Sequence, residues 1–386
     1  MISRKHFLLV LGLAIIMVGV YLYAPSKFYS ENVLANENFF LGSVIKLPDI
    51  ERGVRHIKTP DPVKAIYMTS WVAGTSSMRE RLITLIDETE VNAVIIDIKD
   101  DTGKISYLIE SEPFKSLESS ENRIPNIQEF IARLHDKNIY VIGRIATFQD
   151  PYLIKKWPSE AVKTKTDKEK LWRDRKGIGW FDAGSPKVWG YVVALAEESY
   201  RVGFDEINFD YVRFPSDGNM QDIYFPLSEG KTKPEVLESF FVHLDEKLRT
   251  DEKPIPISVD IFGMTTTNTD DLGIGQVLEK TLPYFDFVAP MVYPSHYPNT
   301  WSGIKNPAEQ PYEVIKIAMA KAVERAVAMG EDPQKLRPWL QDFNLGATYT
   351  AEMVRAQIQA TYDVGLDSWF IWDPKNIYTK KALLSE

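Results

Sequence analysis

The sequence contains no cysteine. Disulfides, thiolate metal sites and a cysteine nucleophile are therefore excluded. Histidine is scarce: the five residues are His6, His56, His135, His243 and His296, and none stands in an HExxH or HxxxH arrangement. Zinc metalloprotease and zinc polysaccharide-deacetylase chemistry lack their ligands on this count. No GxSxG elbow occurs, which weighs against an ester hydrolase. No basic stripe or glycine-rich arginine tract is present, and the formal net charge is -9. A nucleic-acid partner is not expected from such a balance. No cofactor is called for by any motif.

What is present begins with an uncharged apolar run over 7–24, behind Arg4, Lys5 and His6. Its length is at the short end of the spanning range, and its positive flank would stay cytoplasmic. It reads as a membrane anchor, with a cleaved signal peptide as the alternative. Either reading places the rest of the chain outside the cytoplasm, as a single-pass membrane protein or a secreted one. Residues 25–60 read as a linker, with one short packed segment near 39–47. Residues 61–386 are long enough for one large domain.

Within that domain, strand candidates fall at 64–71, 91–98, 139–145, 204–210, 255–262, 285–293, 336–343 and 368–372. Helical spacing separates them, at 76–89, 127–137, from Pro186, and at 234–248, 274–282, 312–329 and 351–362. VNAVIIDI is nearly all apolar, as in a sheet buried on both faces. Eight strands alternating with helices predict an α/β fold of the (β/α)8 TIM-barrel type, with an enlarged loop after strand three. That loop, 146–185, holds Trp157, Trp172 and Trp180, which suggests a packed flap. Its charged run KTKTDKEK reads as a solvated face. A doubly wound open sheet is the rival, but the glycine fingerprint it needs after the first strand is missing.

In such a barrel the C-terminal strand ends converge on one mouth. Here they supply Asp97, Arg144, Asp210, Asp260, Asp342 and Asp373. The stretch GFDEINFDYVRFP, 203–215, is the most telling. Glu206, Asn208 and Asp210 share one parity, so they project from one side of a strand. Several carboxylates in one cleft repel one another, so their pKa values must separate. That is the condition for an acid and a conjugate base to coexist. Glycosidic cleavage needs that pair, and tryptophan and tyrosine offer platforms for sugar rings.

Asp210 is the expected nucleophile or base, Asp260 the expected acid, and Asp342 a rival for either role. Asp97, Arg144, Asn208, Arg213, Tyr293, His296, Trp339 and Trp372 are expected to bind substrate. An Asp at a strand end also serves as a helix cap, and Asp373, before Pro374, reads that way. No metal site is expected; a carboxylate cluster of Asp97, Asp100 and Asp101 is the alternative to a solvated acidic loop.

Seven segments carry a resemblance: AIYMTSW, NAVIIDIKDD, GFDEINFDYVRFP, SVDIFG, APMVYPSHY, RPWLQDF and IWDP. In this order they resemble the glycoside-hydrolase-like family known as domain of unknown function 4015, over most of 63–372. The resemblance implies a TIM barrel and members that are often exported or membrane-anchored. It names neither the sugar nor the catalytic pair. Strand four is also similar to the DxxDxDxE pattern of chitinase-like barrels, with Asp205, Asn208, Asp210 and Val212 on its positions. The final acid is a valine here, so that apparatus is not implied. The expected activity is hydrolysis of O-glycosidic bonds in an extracytoplasmic or cell-envelope polysaccharide. A carbohydrate-binding barrel without turnover and an envelope scaffold protein are the alternatives.

Overall fold

The computed structural model describes residues 54–385. Eight parallel strands close into one barrel: β1 (Lys64–Met68), β2 (Ala93–Lys99), β3 (Tyr140–Ala146), β4 (Glu206–Asp210), β5 (Ile257–Phe262), β6 (Phe287–Met291), β7 (Trp339–Gln341) and β8 (Trp369–Trp372). Neighbours in sequence are neighbours in the sheet. β8 returns to β1 through the pairs Lys64–Trp369, Ala65–Phe370 and Ile66–Ile371. Every strand falls on a segment expected from the sequence, with β2 and β3 running one residue further, to Lys99 and Ala146.

Helices α1 (Ser76–Asp87), α2 (Ile127–His135), α3 (Pro186–Val202), α4 (Lys233–Leu248), α5 (Leu278–Thr281), α6 (Pro311–Met329) and α7 (Ala351–Asp363) form the crossovers. Local chemistry sets their limits. Ser185 accepts a hydrogen bond from the Val188 N–H and Pro186 opens α3, an N-terminal arrangement that suits both residues. Thr232 and Glu235 form a capping box on α4. The helix expected over 274–282 is shorter than its sequence suggests. Gly273 and Gly275 take φ of 68° and 89°, a left-handed backbone that delays the start of α5 to Leu278.

Strand parity divides the core. Ile96, Ile98, Val141, Phe209, Val259 and Ile261 face the helices. Ala65, Ala93, Ile95, Tyr140, Ile142, Ala289 and Phe370 fill the barrel interior. Gly143 of β3 sits where Ile98 and Phe204 press in. A Cβ there would lie 2.2 Å from Ile98 Cδ1 and 2.8 Å from Phe204 Cδ1, so any larger residue would have to displace them.

Polar side chains at the N-terminal end of the barrel are tied into structural contacts. Glu206 and Arg337 form a buried ion pair at 2.9 Å, and the Tyr140 hydroxyl donates to Glu206 at 3.2 Å. Asp205 accepts from the N–H groups of Ile57 at 2.8 Å and Val141 at 2.9 Å, and it meets His135 at 2.8 Å. Thr59 and Tyr140 share a hydrogen bond of 3.0 Å. The last residues of the expected linker are therefore bound to the barrel.

The long connection after β3 is a packed flap. Bridges join Gln149 to Trp180, Ala161 to Phe181 and Lys163 to Leu171. A two-stranded ribbon pairs Lys163–Thr164 with Ile223–Tyr224 from the β4–α4 connection. Trp157, Trp172 and Trp180 are buried, whereas the charges of 165–170 face solvent. Asp182 ties the two connections together by accepting from the N–H groups of Leu227 and Ser228.

The expected single-pass membrane topology needs correction. Among the described residues no helix is long and apolar enough to cross a membrane. The run at 7–24 on which the anchor, the membrane partner and the extracytoplasmic address rested lies outside the described residues. So do the segment near 39–47 and most of the linker.

Glu206→Gln would leave the Arg337 charge unpartnered in the dry interior. The expected loss is about 3–5 kcal/mol in urea denaturation. The double replacement Glu206→Leu with Arg337→Met should lose less than that single change, because no uncompensated charge remains.

Candidate active site

All eight barrel strands send a residue to one cavity of about 580 Å³, from at or near the C-terminal end in every strand but the short β7, which Trp339 opens. They contribute Tyr67, Asp97, Arg144, Asp210, Asp260, Met291, Trp339 and Trp372. The connections add Trp71, Tyr211, Arg213, Met264, Tyr293 and His296, among others. Residues more than 300 positions apart thus share one opening.

Arg144 is the hub. It donates from Nη1 to Asp97 Oδ1 at 2.7 Å, and from Nη2 and Nε to Asp210 Oδ2 at 2.5 and 3.1 Å. Burial opposes the guanidinium charge, but Asp210 and Asp97 outweigh it and raise the pKa well above the ordinary arginine value. The Tyr67 hydroxyl donates to the other Asp97 oxygen at 2.5 Å. Burial raises the Asp97 pKa, and Arg144 and Tyr67 hold that rise back. Asp210 Oδ1 takes the N–H of Tyr211 at 2.5 Å. Tyr211 has φ of 54°, a strained value for an aromatic residue. That turn aims its N–H back at the carboxylate.

Asp260, on the strand next to Asp210, sits in the opposite setting. The side chain is buried. Asn208 Nδ2 donates to its Oδ1 at 3.0 Å, and Trp339 Nε1 donates to the same oxygen at 2.8 Å. Burial first, and then the Asp210 charge, push its pKa up to about 8, against the pull of Arg144, Trp339 and Asn208. An acid whose Oδ1 accepts two N–H bonds carries its proton on Oδ2. The mouth therefore holds a buried carboxyl whose protonated form is favoured, beside an aspartate gripped by arginine.

The other expected residues divide into three groups. Arg213, Tyr293, His296, Trp339 and Trp372 line the cavity with Asp97 and Arg144. Tyr293 packs on Trp372 with ring centroids 5.2 Å apart and also meets His296 at 5.4 Å. Burial lowers the His296 pKa. Arg213 lies over the rings of Trp180, Phe262 and Tyr211 at 4.8, 4.9 and 5.6 Å. Asn208 is fully buried behind the cavity and reaches it only through Asp260.

Asp342 is not among the residues lining the cavity. Its oxygens accept from Thr379 N at 2.6 Å and Thr379 Oγ1 at 2.7 Å, which ties the C-terminal tail to β7. Burial, partly countered by those bonds, pushes its pKa up to about 6. Asp373 accepts from the N–H groups of Lys375 and Ile377 at 2.7 and 3.0 Å, which closes a turn rather than capping a helix, since none begins there. Asp100 is engaged by Arg123 and Thr102. Among the described residues no cluster of His, Asp or Glu is arranged to hold a metal ion.

Tyr67 and Trp71 escaped the sequence reading of the site. The signal was present: Tyr67 has inward parity at the end of the first strand. The Tyr211 N–H contact had no signal, because a backbone donor has no residue type.

The family described as "Putative glycosyl hydrolase domain", DUF4015, matches residues 65–378. The chain belongs to this family. A hypothetical protein from Ruminiclostridium thermocellum is 31% identical, over 54% of this chain and 98% of that one, with a TM-score of 0.46. The glycoside hydrolase domain of PgaB (BpsB) from Bordetella bronchiseptica is 14% identical, over 81% and 94%, with a TM-score of 0.58. It shares the fold. An α-galactosidase from Thermus thermophilus is 12% identical, over 84% and 60%, with a TM-score of 0.49. No curated protein sequence matches.

Asp260 couples the fold to pH. Its folded pKa lies above the ordinary carboxyl value, so folding takes up a proton between the two. Its contribution to stability is full below about pH 4. It declines as pH rises towards 8 and is gone above that. In Asp260→Asn the carboxyl is absent, so urea midpoints measured from pH 4 to 9 should fall less steeply than in the wild type.

Proposed function

We propose that the protein hydrolyses O-glycosidic bonds in a polysaccharide, with Asp260 as general acid and Asp210 as nucleophile or base. One observation carries this reading: two carboxyl groups on adjacent strands face the same cavity in opposite electrostatic settings. Environments that drive two titratable groups apart mark an acid and its partner.

The chemistry follows from those settings. Asp260 gives its proton to the glycosidic oxygen as the bond from that oxygen to the anomeric carbon breaks. Asp210 either attacks the anomeric carbon or takes a proton from the water that does. In the first course Asp260, now a carboxylate, deprotonates the water that releases the sugar from Asp210. Arg144 fixes Asp210 during either course, and Asn208 and Trp339 fix the Asp260 carboxyl. Trp71, Tyr293 and Trp372 offer ring faces to the substrate. The family supports the reaction class. The expectation of an envelope glycan falls with the membrane anchor that motivated it.

Asp210→Asn and Asp260→Asn should each lower turnover by about 10²–10⁴-fold while sugar binding persists. For Asp260→Asn the loss should shrink on nitrophenyl glycosides, whose leaving group needs little protonation. Sugar binding by the wild type with no turnover on any glycoside would instead mark a binding barrel.

The wild-type rate should fall as pH rises through about 8, where Asp260 loses its proton. A pH–rate profile of Asp260→Asn should lack that limb. An unchanged limb in the variant would remove Asp260 from the mechanism.

A further inference from the structure

Trp71 stands at the rim of the cavity with 62% of its surface exposed. Among the described residues no other tryptophan is left so open. A single exposed apolar side chain is ordinary, but this one is built into a support. The Arg123 guanidinium lies over the indole, 4.9 Å from its centroid. The Arg123 side chain is itself only 4% exposed. Asp100 holds it at 2.5 Å, Glu121 at 2.8 Å and Thr102 at 2.9 Å. The short turn carrying Trp71, Ser70–Gly74, is pressed against the same segment. A Cβ on Gly74 would lie 1.9 Å from the Arg123 carbonyl oxygen, and Thr69 caps the turn through the Val72 N–H at 3.2 Å. The indole is thus a fixed plate, with a buried cation against one face and the cavity before the other. A guanidinium stacked on tryptophan is a favourable contact, so the plate needs no ligand to hold it in place.

Strand order decides what such a plate is for. In the closed barrel β1 lies across from β5. Asp260 is carried by β5, whereas Trp71 follows β1. A sugar ring resting on Trp71 is therefore separate from the ring whose bond meets Asp260. Asp101 and Thr102 line the same cavity and are exposed, so acceptors for hydroxyl groups are at hand beside an apolar platform. Ligand sites combine the two in this way.

We propose that Trp71 forms a distal sugar-binding subsite, and that the preferred ligand is an oligosaccharide longer than a disaccharide lying across the barrel mouth. This deepens, and rests on, the glycosidic reading above. The test uses the full chain carrying Asp260→Asn to prevent turnover. The probes are immobilised chitin, chitosan, cello- and galacto-oligosaccharides of two to six units. The expected result is a series whose affinity rises with length. Adding Trp71→Ala should weaken the six-unit member at least ~10-fold more than the two-unit member, an increment within reach of one lost ring contact. Trp71→Phe should recover most of that loss, and unchanged thermal unfolding shows that the variants are folded. Equal weakening of short and long members, or none, would overturn the subsite and leave the hydrolase reading standing. Binding of no probe by the parent would sink both.

Discussion

A single guanidinium makes the mouth of this barrel possible. Carboxylates drawn together from separate strands repel one another, and in a partly buried cleft the repulsion is weakly screened. Arg144 answers it by spending one edge of its planar fork on Asp97 and the other on Asp210. Lysine could not grip both in fixed geometry. Asp260 lies beyond that grip, so it meets the Asp210 charge from a buried position and keeps its proton instead. Burial first, and then the neighbouring Asp210 charge, raise the Asp260 pKa, while the arginine's hydrogen bonds go to Asp210 alone of the two.

The barrel treats charge differently at its two ends. Along β4 three polar side chains of one parity are stacked at rising height. Glu206 is sealed into a pair with Arg337, Asn208 holds Asp260, and Asp210 opens to the cavity. Only the last level combines acidity with access. The lower pair spans the barrel from β4 to Arg337, two residues before β7, and Asp205 binds the residues that precede β1. Both serve the fold, and they free the upper end for chemistry.

The likeness of strand four to the chitinase pattern has a structural answer. The position of the final acid is Val212, which is fully buried, and its carbonyl accepts from Gln276 at 3.0 Å. Nothing ionisable remains there. The neighbouring strand instead supplies Asp260, and Asn208, where that pattern has aspartate, becomes its hydrogen-bond donor. The proposed mechanism is thus shared between two strands rather than contained in one motif.

Alternation of apolar strands with helical periods was enough to determine the eight-stranded barrel, because period and length are local properties. The strand-end aspartates were legible for the same reason: parity says which side chains point inward. Their separate fates were not legible. Asp342 and Asp260 look alike in sequence, yet one accepts from Thr379 of the C-terminal tail and the other from Trp339 across the barrel. Asp97, Arg144 and Asp210 could be named one by one, but the bridge among them depends on strand register. The run KTKTDKEK, 163–170, is solvated only over 165–170: Lys163 and Thr164 are buried in the ribbon with Ile223–Tyr224, because the packing of the flap depends on partners in the β4–α4 connection. The chain by itself determined which residues could reach the mouth. Tertiary structure decided which carboxyl is paired, which is protonated and which is merely structural, because each outcome depends on partners distant in sequence.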